Sequence, residues 1–240
     1  MMRSSRSILW PSLVAALGVM ILIALGTWQV ERLFWKEGLI AARQAAVTAP
    51  PVDLPTSLDA ARGLEYHRVH VTGHFLNDRE LYLGATSDDG HPGYLVITPL
   101  RLADGSSVLV ERGFVPERRR APESRAAGEP QGEVTVSGLL RLPHGRPAWF
   151  VPDNNAARNY WFYVDIPAMA EATHLDRVLP FYVDADATPN PGGLPIGGQT
   201  RLALPNNHLQ YAITWYALAV ALVIFAIVFI RRRRSEGVAP

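Results

Sequence analysis

The sequence contains no cysteine, and a single lysine stands against 22 arginines in its 240 residues. The absence of cysteine excludes disulfide scaffolds, thiolate metal sites and cysteine nucleophiles, and it fits any redox compartment. The shortage of lysine indicates genome composition rather than function. The usual catalytic signatures are also missing: the phosphate loop, the paired-histidine zinc helix, the nucleophile elbow and the dinucleotide fingerprint. These absences favour a protein that is not an enzyme.

Charge is distributed unevenly along the chain. Nine of the 23 basic and three of the 22 acidic residues lie outside residues 44–207. That range therefore holds 14 basic and 19 acidic residues, a net charge of −5. Because an acidic surface repels phosphate backbones, this distribution argues against a nucleic-acid partner.

Apolar residues concentrate in two uncharged runs near the ends of the chain. Residues 8–28 form a run of 21 and residues 209–230 a run of 22. At 1.5 Å per residue they give helices of roughly 31 and 33 Å, about the thickness of one hydrocarbon core. Both runs are predicted to be transmembrane helices, with the lipid bilayer as a partner.

Basic residues at the ends of membrane helices are retained on the cytoplasmic side. Four arginines at residues 231–234, with Arg3 and Arg6, predict an inner-membrane protein with cytoplasmic N- and C-termini. The middle of the chain then lies in the periplasm or the equivalent space of an organelle. An alternative is a signal peptide cleaved near residues 24–26, although the run exceeds the usual apolar core of about 7–15 residues.

The predicted segments are a cytoplasmic N-terminus (1–7), a first transmembrane helix (8–28), a helical stalk (29–49), an extracytoplasmic domain (50–205), a second transmembrane helix (206–230) and a basic cytoplasmic tail (231–240). The domain is predicted to be β-rich. Its strand-like runs cover residues 66–75, 80–84, 94–102, 107–115, 134–142, 160–165 and 181–184. Turns are indicated at residues 77–78, 88–90 and 103–105, the last as a hairpin.

The rest of the domain contains one short helix, expected at residues 166–175. A solvated loop is expected at residues 117–132, and a linker rich in proline and glycine at residues 189–198. The predicted fold class is therefore an α+β membrane protein, with two transmembrane helices flanking a β-rich extracytoplasmic domain.

Three histidines at the start of the domain, His67, His70 and His74, have the spacing of metal ligands on a helix. Their neighbours favour a strand instead. On a strand His67 and His70 point to opposite faces, and His70 and His74 lie about 13 Å apart. We therefore interpret all three as surface or sheet histidines.

A fourth histidine stands at the start of the second apolar run. On a helix, one stripe contains His208, Tyr211, Ala212, Trp215 and Ala219. A histidine beside an aromatic ring and small residues could flank a flat apolar cofactor such as haem, or could ligate the haem iron. The alternative is an interfacial belt that anchors the helix at the headgroups.

The end of the first run offers a matching set. Trp28, Arg32 and Trp35 occupy positions i, i+4 and i+7, so that one helix face carries an arginine between two indoles. That arginine could pair with a haem propionate or with a phospholipid phosphate. The spacing alone leaves both alternatives open.

Three longer segments are distinctive. They read GTWQVERLFWKEGLI at residues 26–40, FVPDNNAARNYWFYVDIPAMA at residues 150–170 and NNHLQYAITWYALA at residues 206–219. With RVHVTGHF, TPL and ERGFVP between them, they closely resemble the surfeit locus protein family of cytochrome oxidase assembly factors. The resemblance runs in order from about residue 26 to residue 219.

This resemblance implies a non-enzymatic membrane protein that assists the biogenesis of haem-copper cytochrome c oxidase. Bacterial members are thought to bind haem a and to help its insertion into the catalytic subunit, so that subunit and haem a synthase are the expected partners. The family histidine implicated in haem binding matches His208. The other expected cofactor-binding residues, at family motif positions, are Trp28, Arg32, Trp35, Tyr211 and Trp215.

The sequence departs from the family pattern at a few positions. Glu111 and Phe114 stand where Asn and Trp are usual, and residues 83–86 lack an arginine expected in a loop there. These departures leave the oxidase that is served undetermined. Two rival hypotheses also stay open: a haem-free scaffold that binds an oxidase subunit through the domain, and a hydrolase using His91 or His144 with an acidic partner.

Overall fold

The computed structural model describes residues 6–87 and 89–236, with side chains for residues 9–87 and 89–235. Arg3, the predicted turn residue Asp88, residues 1–5 of the predicted N-terminal segment and residues 237–240 of the predicted tail lie outside this description. The chain forms two compact units. One, called the domain below, is Arg43–Leu202, and the other contains the described residues up to Ala42 and from Ala203 onwards.

The helices are α1 (Arg6–Thr48), α2 (Leu58–Ala61), α3 (Ile166–Ala172) and α4 (His208–Glu236). The strands are β1 (Arg68–Phe75), β2 (Leu81–Thr86), β3 (Pro92–Arg101), β4 (Ser107–Pro116), β5 (Glu133–Arg141) and β6 (Val178–Ala185). Helices α1 and α4 are long and apolar enough to cross a membrane. The predicted pattern of two apolar helices flanking a β-rich domain is confirmed.

The six strands form one sheet in the order β1-β5-β6-β4-β3-β2. Strand β1 also pairs with the end of β3, at His74↔Arg101, so the sheet closes on itself, while β2 pairs with the other half of β3. The pair β4–β6 is parallel and the other pairs are antiparallel. Six of the seven predicted strands are present, and the predicted hairpin joins β3 to β4.

Burial alternates along β1, as the side-chain period of a strand requires. Val69 and Val71 are buried, whereas His70, Thr72 and His74 are exposed. The inward side chains of the sheet form one apolar core with Leu100, Val108, Val110, Leu140, Phe181 and Val183. A second cluster, on the other face, surrounds the fully buried Trp161 and Met169.

The predicted strand at residues 160–165 is wrong. These residues make only isolated bridges, such as Leu83↔Trp161. The Asn154 side-chain oxygen accepts hydrogen bonds from the backbone N–H groups of Phe162 and Tyr163, at 2.8 and 3.3 Å. Because a side chain satisfies these donors, the segment needs no neighbouring strand.

Helix α3 begins as predicted but ends earlier. Asp165 caps it by accepting a hydrogen bond from the Ala168 N–H at 3.2 Å. At its other end the Thr173 hydroxyl donates to the Met169 carbonyl at 2.7 Å, and His174 has a φ of 51°. A left-handed residue cannot continue a helix, so the predicted extension to residue 175 does not form.

Three other expectations about irregular segments need correction. The predicted solvated loop contains short 3₁₀ helices at Glu117–Arg119 and Pro122–Gly128, and it buries Arg125. The predicted linker packs against β4, where Ile196 and Phe114 exchange backbone hydrogen bonds of 2.8 and 2.9 Å. Residues 83–86, expected as a loop, lie in β2.

Candidate functional site

His208 begins α4, and its imidazole hydrogen-bonds to α1. Its Nδ1 lies 2.7 Å from the side-chain oxygen of Gln29, a residue that is itself buried. Since a carbonyl oxygen can only accept, Nδ1 carries the proton, and the neutral ring then has a free lone pair on Nε2. This is the tautomer in which histidine binds a metal ion, with its other nitrogen held by a second residue.

Small residues allow α1 and α4 to approach closely at this end. A Cβ added to Gly26 would lie 2.8 Å from a ring carbon of Tyr216. The Tyr216 hydroxyl is 3.1 Å from the Thr27 hydroxyl, and Ala212 and Ala219 are buried. Close packing over small residues is the usual way for apolar helices to associate in lipid.

The predicted arginine and its two indoles lie beside this contact rather than in it. Trp28 and Trp35 are more than half exposed, and the Arg32 guanidinium stacks over the Trp35 ring at 4.2 Å. At 100° per residue, their stripe lies roughly a quarter turn around α1 from Gln29. Among the described residues Arg32 has no carboxylate within ion-pair distance, so its charge is available to an anionic ligand.

The predicted residues of α4 divide between two environments. Tyr211 is exposed and Trp215 is half-buried, whereas Ala212 faces the helix contact. Among the described residues, no direct hydrogen bond joins His208 to Arg32. The structure therefore places the imidazole and the guanidinium near the same end of the helix pair without joining them directly.

Sequence reasoning missed Gln29, Gly26, Thr27 and Tyr216. The available signal was a glutamine directly after an apolar run, with a glycine three residues before it. A buried polar side chain needs a partner in an apolar environment, and a histidine entering the second helix is a natural one. The predicted stripes included His208 but not Gln29, its hydrogen-bond partner.

The domain has a buried ionic cluster of its own. Glu80 pairs with Arg125 and, at 3.7 Å, with Arg112, and the Glu80 and Arg112 side chains are each 2% exposed. Burial and the neighbouring Glu80 raise the pKa of the Tyr82 hydroxyl to about 12. Burial lowers the pKa of Arg112 to about 10, against the opposing effect of Glu80. Such a cluster is costly to break, because removal of one partner leaves an uncompensated buried charge.

A second buried cluster involves Glu111, the departure noted from the sequence. Glu111 lies opposite Asp184 in the β4–β6 pairing, and Arg141 Nη1 is 2.5 Å from Asp184 Oδ2. Burial, followed by the Asp184 charge, raises the pKa of Glu111 well above its usual value, and Arg141 opposes them. Phe114, the other departure, is also buried, so both departures change the interior of the domain.

Apart from His67, which is half-buried and whose Nδ1 is enclosed, the remaining histidines are exposed on the domain. His70 Nδ1 is 2.9 Å from the Ser137 hydroxyl, and His74 is exposed on the same strand. His67 precedes β1 and is not part of the strand. His144 Nε2 is 2.8 Å from Glu65, but among the described residues no hydroxyl nucleophile hydrogen-bonds to it. His91 hydrogen-bonds to Ser87 through its backbone: its N–H donates to the Ser87 hydroxyl at 3.1 Å, and its carbonyl accepts from the Ser87 N–H at 2.9 Å.

Comparison with known proteins identifies the family. Residues 16–220 match the model of the SURF1 family. The chain is 43% identical over 222 residues to a SURF1-like protein of Monosiga brevicollis, covering 87% of this chain and 83% of that one. It is 43% identical to rat (Rattus norvegicus) surfeit locus protein 1, covering 82% and 68%, and 42% identical to the human (Homo sapiens) protein, covering 82% and 70%. With its two apolar helices and β-rich domain, this chain belongs to the SURF1 family.

Proposed function

We propose that this protein is a non-enzymatic assembly factor for haem-copper cytochrome c oxidase, and that it binds haem a at the paired ends of α1 and α4. The single observation that carries the haem proposal is the hydrogen bond from His208 Nδ1 to Gln29. It orients the imidazole and leaves Nε2 as a metal ligand. The expected partners are the catalytic subunit of the oxidase and haem a synthase.

The residues present are suited to haem. Haem a would bring an iron ion that accepts an imidazole ligand, a flat apolar ring and two carboxylates. His208 Nε2 would ligate the iron, and Gln29 would hold the imidazole in place. Arg32 would pair with a carboxylate. The exposed faces of Trp28, Trp35 and Tyr211, with the half-buried Trp215, would cover the ring.

The membrane placement is part of the same proposal. Helices α1 and α4 cross the inner membrane, and the arginines at residues 231–234 keep the C-terminus in the cytoplasm. The domain then lies in the periplasm. A cysteine introduced at the exposed Ala126 should react with an impermeant thiol reagent in intact spheroplasts, and protection until lysis would contradict this orientation.

The test of function compares two histidine variants in cells that make haem a. His208→Ala should lose the co-purifying haem measured by absorbance, and oxidase activity should fall while the protein still inserts. His144→Ala is the matched control, since this exposed histidine of the domain also pairs with a side-chain oxygen. Equal haem in wild type and His208→Ala would remove His208 from the proposal. An oxidase subunit that co-purifies with a haem-free wild type would favour the scaffold alternative.

A further inference from the structure

The two most exposed large hydrophobic side chains of the domain are neighbours in the sequence. Trp149 is 88% exposed and Phe150 is 70% exposed. Within the described part of the domain, no other large hydrophobic side chain exceeds 50%. Two adjacent aromatic rings left in water forgo the free energy of burial, so their exposure calls for a partner.

The surrounding loop holds the two rings in a fixed arrangement. The Val151 N–H donates to the Ala148 carbonyl at 3.1 Å, which makes a tight turn around the pair. Arg146 Nη2 and Asp153 Oδ1, 2.6 Å apart, form an ion pair on either side of that turn. The ring centroids are 5.7 Å apart in an edge-to-face geometry. The loop therefore presents a preformed aromatic tip, defined here as residues 148–151.

We propose that this aromatic tip inserts into the lipid–water interface of the membrane that carries the protein. Tryptophan favours the headgroup level because its ring is apolar and its indole N–H is polar. The phenylalanine ring adds apolar surface that is buried where the lipid headgroups meet the acyl chains. The inference rests on the proposed membrane placement of α1 and α4, and it concerns a part of the chain that the haem proposal does not use.

The size of the aromatic tip favours lipid over a protein partner. A stable protein interface buries about 800 Å² on each side, which requires many more residues than two rings. One exposed proline flanks the tip on each side, Pro147 and Pro152. Beyond them the loop carries exposed polar residues, including Arg146 and Asp153, so the apolar surface ends there.

The covalent connection to the helices strengthens this argument. Both ends of the domain continue into the unit that contains α1 and α4. A tethered domain meets the bilayer at a high effective concentration, which lowers the affinity that the two side chains must supply. The consequence of insertion would be a restricted orientation of the domain on the membrane.

The absence of native cysteine makes a site-specific test direct. Ala148→Cys places a single environment-sensitive dye in the aromatic tip of the full chain, reconstituted in nanodiscs that contain nitroxide lipids. Ala126→Cys, exposed on the 3₁₀ helix Pro122–Gly128, is the control for the water-facing domain. Phe225→Cys, exposed on α4, is the control for a position in the bilayer.

Insertion predicts a loss of fluorescence at position 148 that approaches the loss at position 225 and greatly exceeds that at position 126. Adding Trp149→Ser and Phe150→Ser should abolish the loss at position 148, with circular dichroism unchanged because both rings are solvent-exposed. Quenching at position 225 but not at position 148 would overturn the inference and leave the membrane placement intact. Quenching at neither position would contradict the membrane placement itself. Shielding at position 148 only after addition of a partner protein would also overturn the inference.

Discussion

His208 and Gln29 connect the two apolar helices through one hydrogen bond, with Nδ1 of the imidazole 2.7 Å from the amide oxygen. The bond fixes both the rotation of the ring and the nitrogen that carries the proton. A glutamine on one helix thereby orients the imidazole of a histidine on the other.

Gln29→Leu should weaken haem binding although it removes no ligand. The imidazole would lose its orienting partner, and loss of such a partner typically costs about 10–100-fold in metal affinity. Gln29→Glu keeps an acceptor for Nδ1 and should bind haem more tightly than Gln29→Leu. Haem titration in nanodiscs, followed by absorbance, measures both variants. Wild-type affinity in Gln29→Leu would show that the bond has no role in binding.

Gly26→Leu should separate the helices. Even a Cβ at this position would lie 2.8 Å from the Tyr216 ring, so a larger side chain must displace that ring and break its contact with Thr27. The expected cost is about 1–3 kcal/mol, together with weaker haem binding. Gly38→Leu, on the same helix, is the matched control, since a Cβ there meets nothing within 4 Å. Thermal unfolding in detergent should show a lower midpoint only for Gly26→Leu.

The outline of the fold could be predicted from residue patterns because it depends on local chemistry. Two long uncharged runs indicated α1 and α4, and β-branched runs with turn residues indicated six strands. The segment at residues 160–165 has the composition of a strand, yet the Asn154 side chain accepts hydrogen bonds from two of its backbone N–H groups. That interaction is a tertiary contact, and composition does not reveal it.

The candidate site could be predicted only in part for the same reason. His208 was recognisable because a histidine at the mouth of an apolar helix is costly without a role. Gln29 lies 179 positions away in the sequence, and its pairing depends on the packing of the two helices. Arg125 was likewise taken for a solvated residue, because its partner Glu80 is 45 positions away.

Arg125→Met should strongly destabilise the domain. It would remove the closer of the two arginines that pair with the buried Glu80 carboxylate, and leave that carboxylate with Arg112 at 3.7 Å and the Tyr82 hydroxyl at 3.2 Å. Breaking a buried ion pair by removing one partner costs about 3–5 kcal/mol. Arg62→Met is the control, because its ion pair with Asp59 is exposed and its loss should change stability by less than about 0.5 kcal/mol. Urea unfolding of the detergent-solubilised protein measures the free energy of unfolding of both variants. A similar loss of that free energy in Arg125→Met and Arg62→Met would refute a structural role for the cluster.

Stability should depend on pH through Glu111. The folded protein raises the pKa of Glu111 above its usual 4.5, so the folded state retains a proton that the unfolded chain releases. The stability contributed by this group is therefore complete below about pH 4.5 and is lost as pH rises toward the folded-state pKa. Glu111→Gln should have the same unfolding temperature as wild type at pH 4.5 and a higher unfolding temperature than wild type at pH 8. Glu133→Gln, at an exposed site, should follow the wild-type profile. A wild-type profile in Glu111→Gln would contradict this assignment.

The most direct test of the account asks whether the His208 imidazole is itself the iron ligand. Wild type and His208→Gly would be titrated with haem a in nanodiscs, with and without added imidazole, and followed by their visible absorption spectra. We expect His208→Gly to lose the wild-type spectrum and free imidazole to restore it. A His208→Gly variant that binds haem a with wild-type affinity and an unchanged spectrum would contradict this expectation.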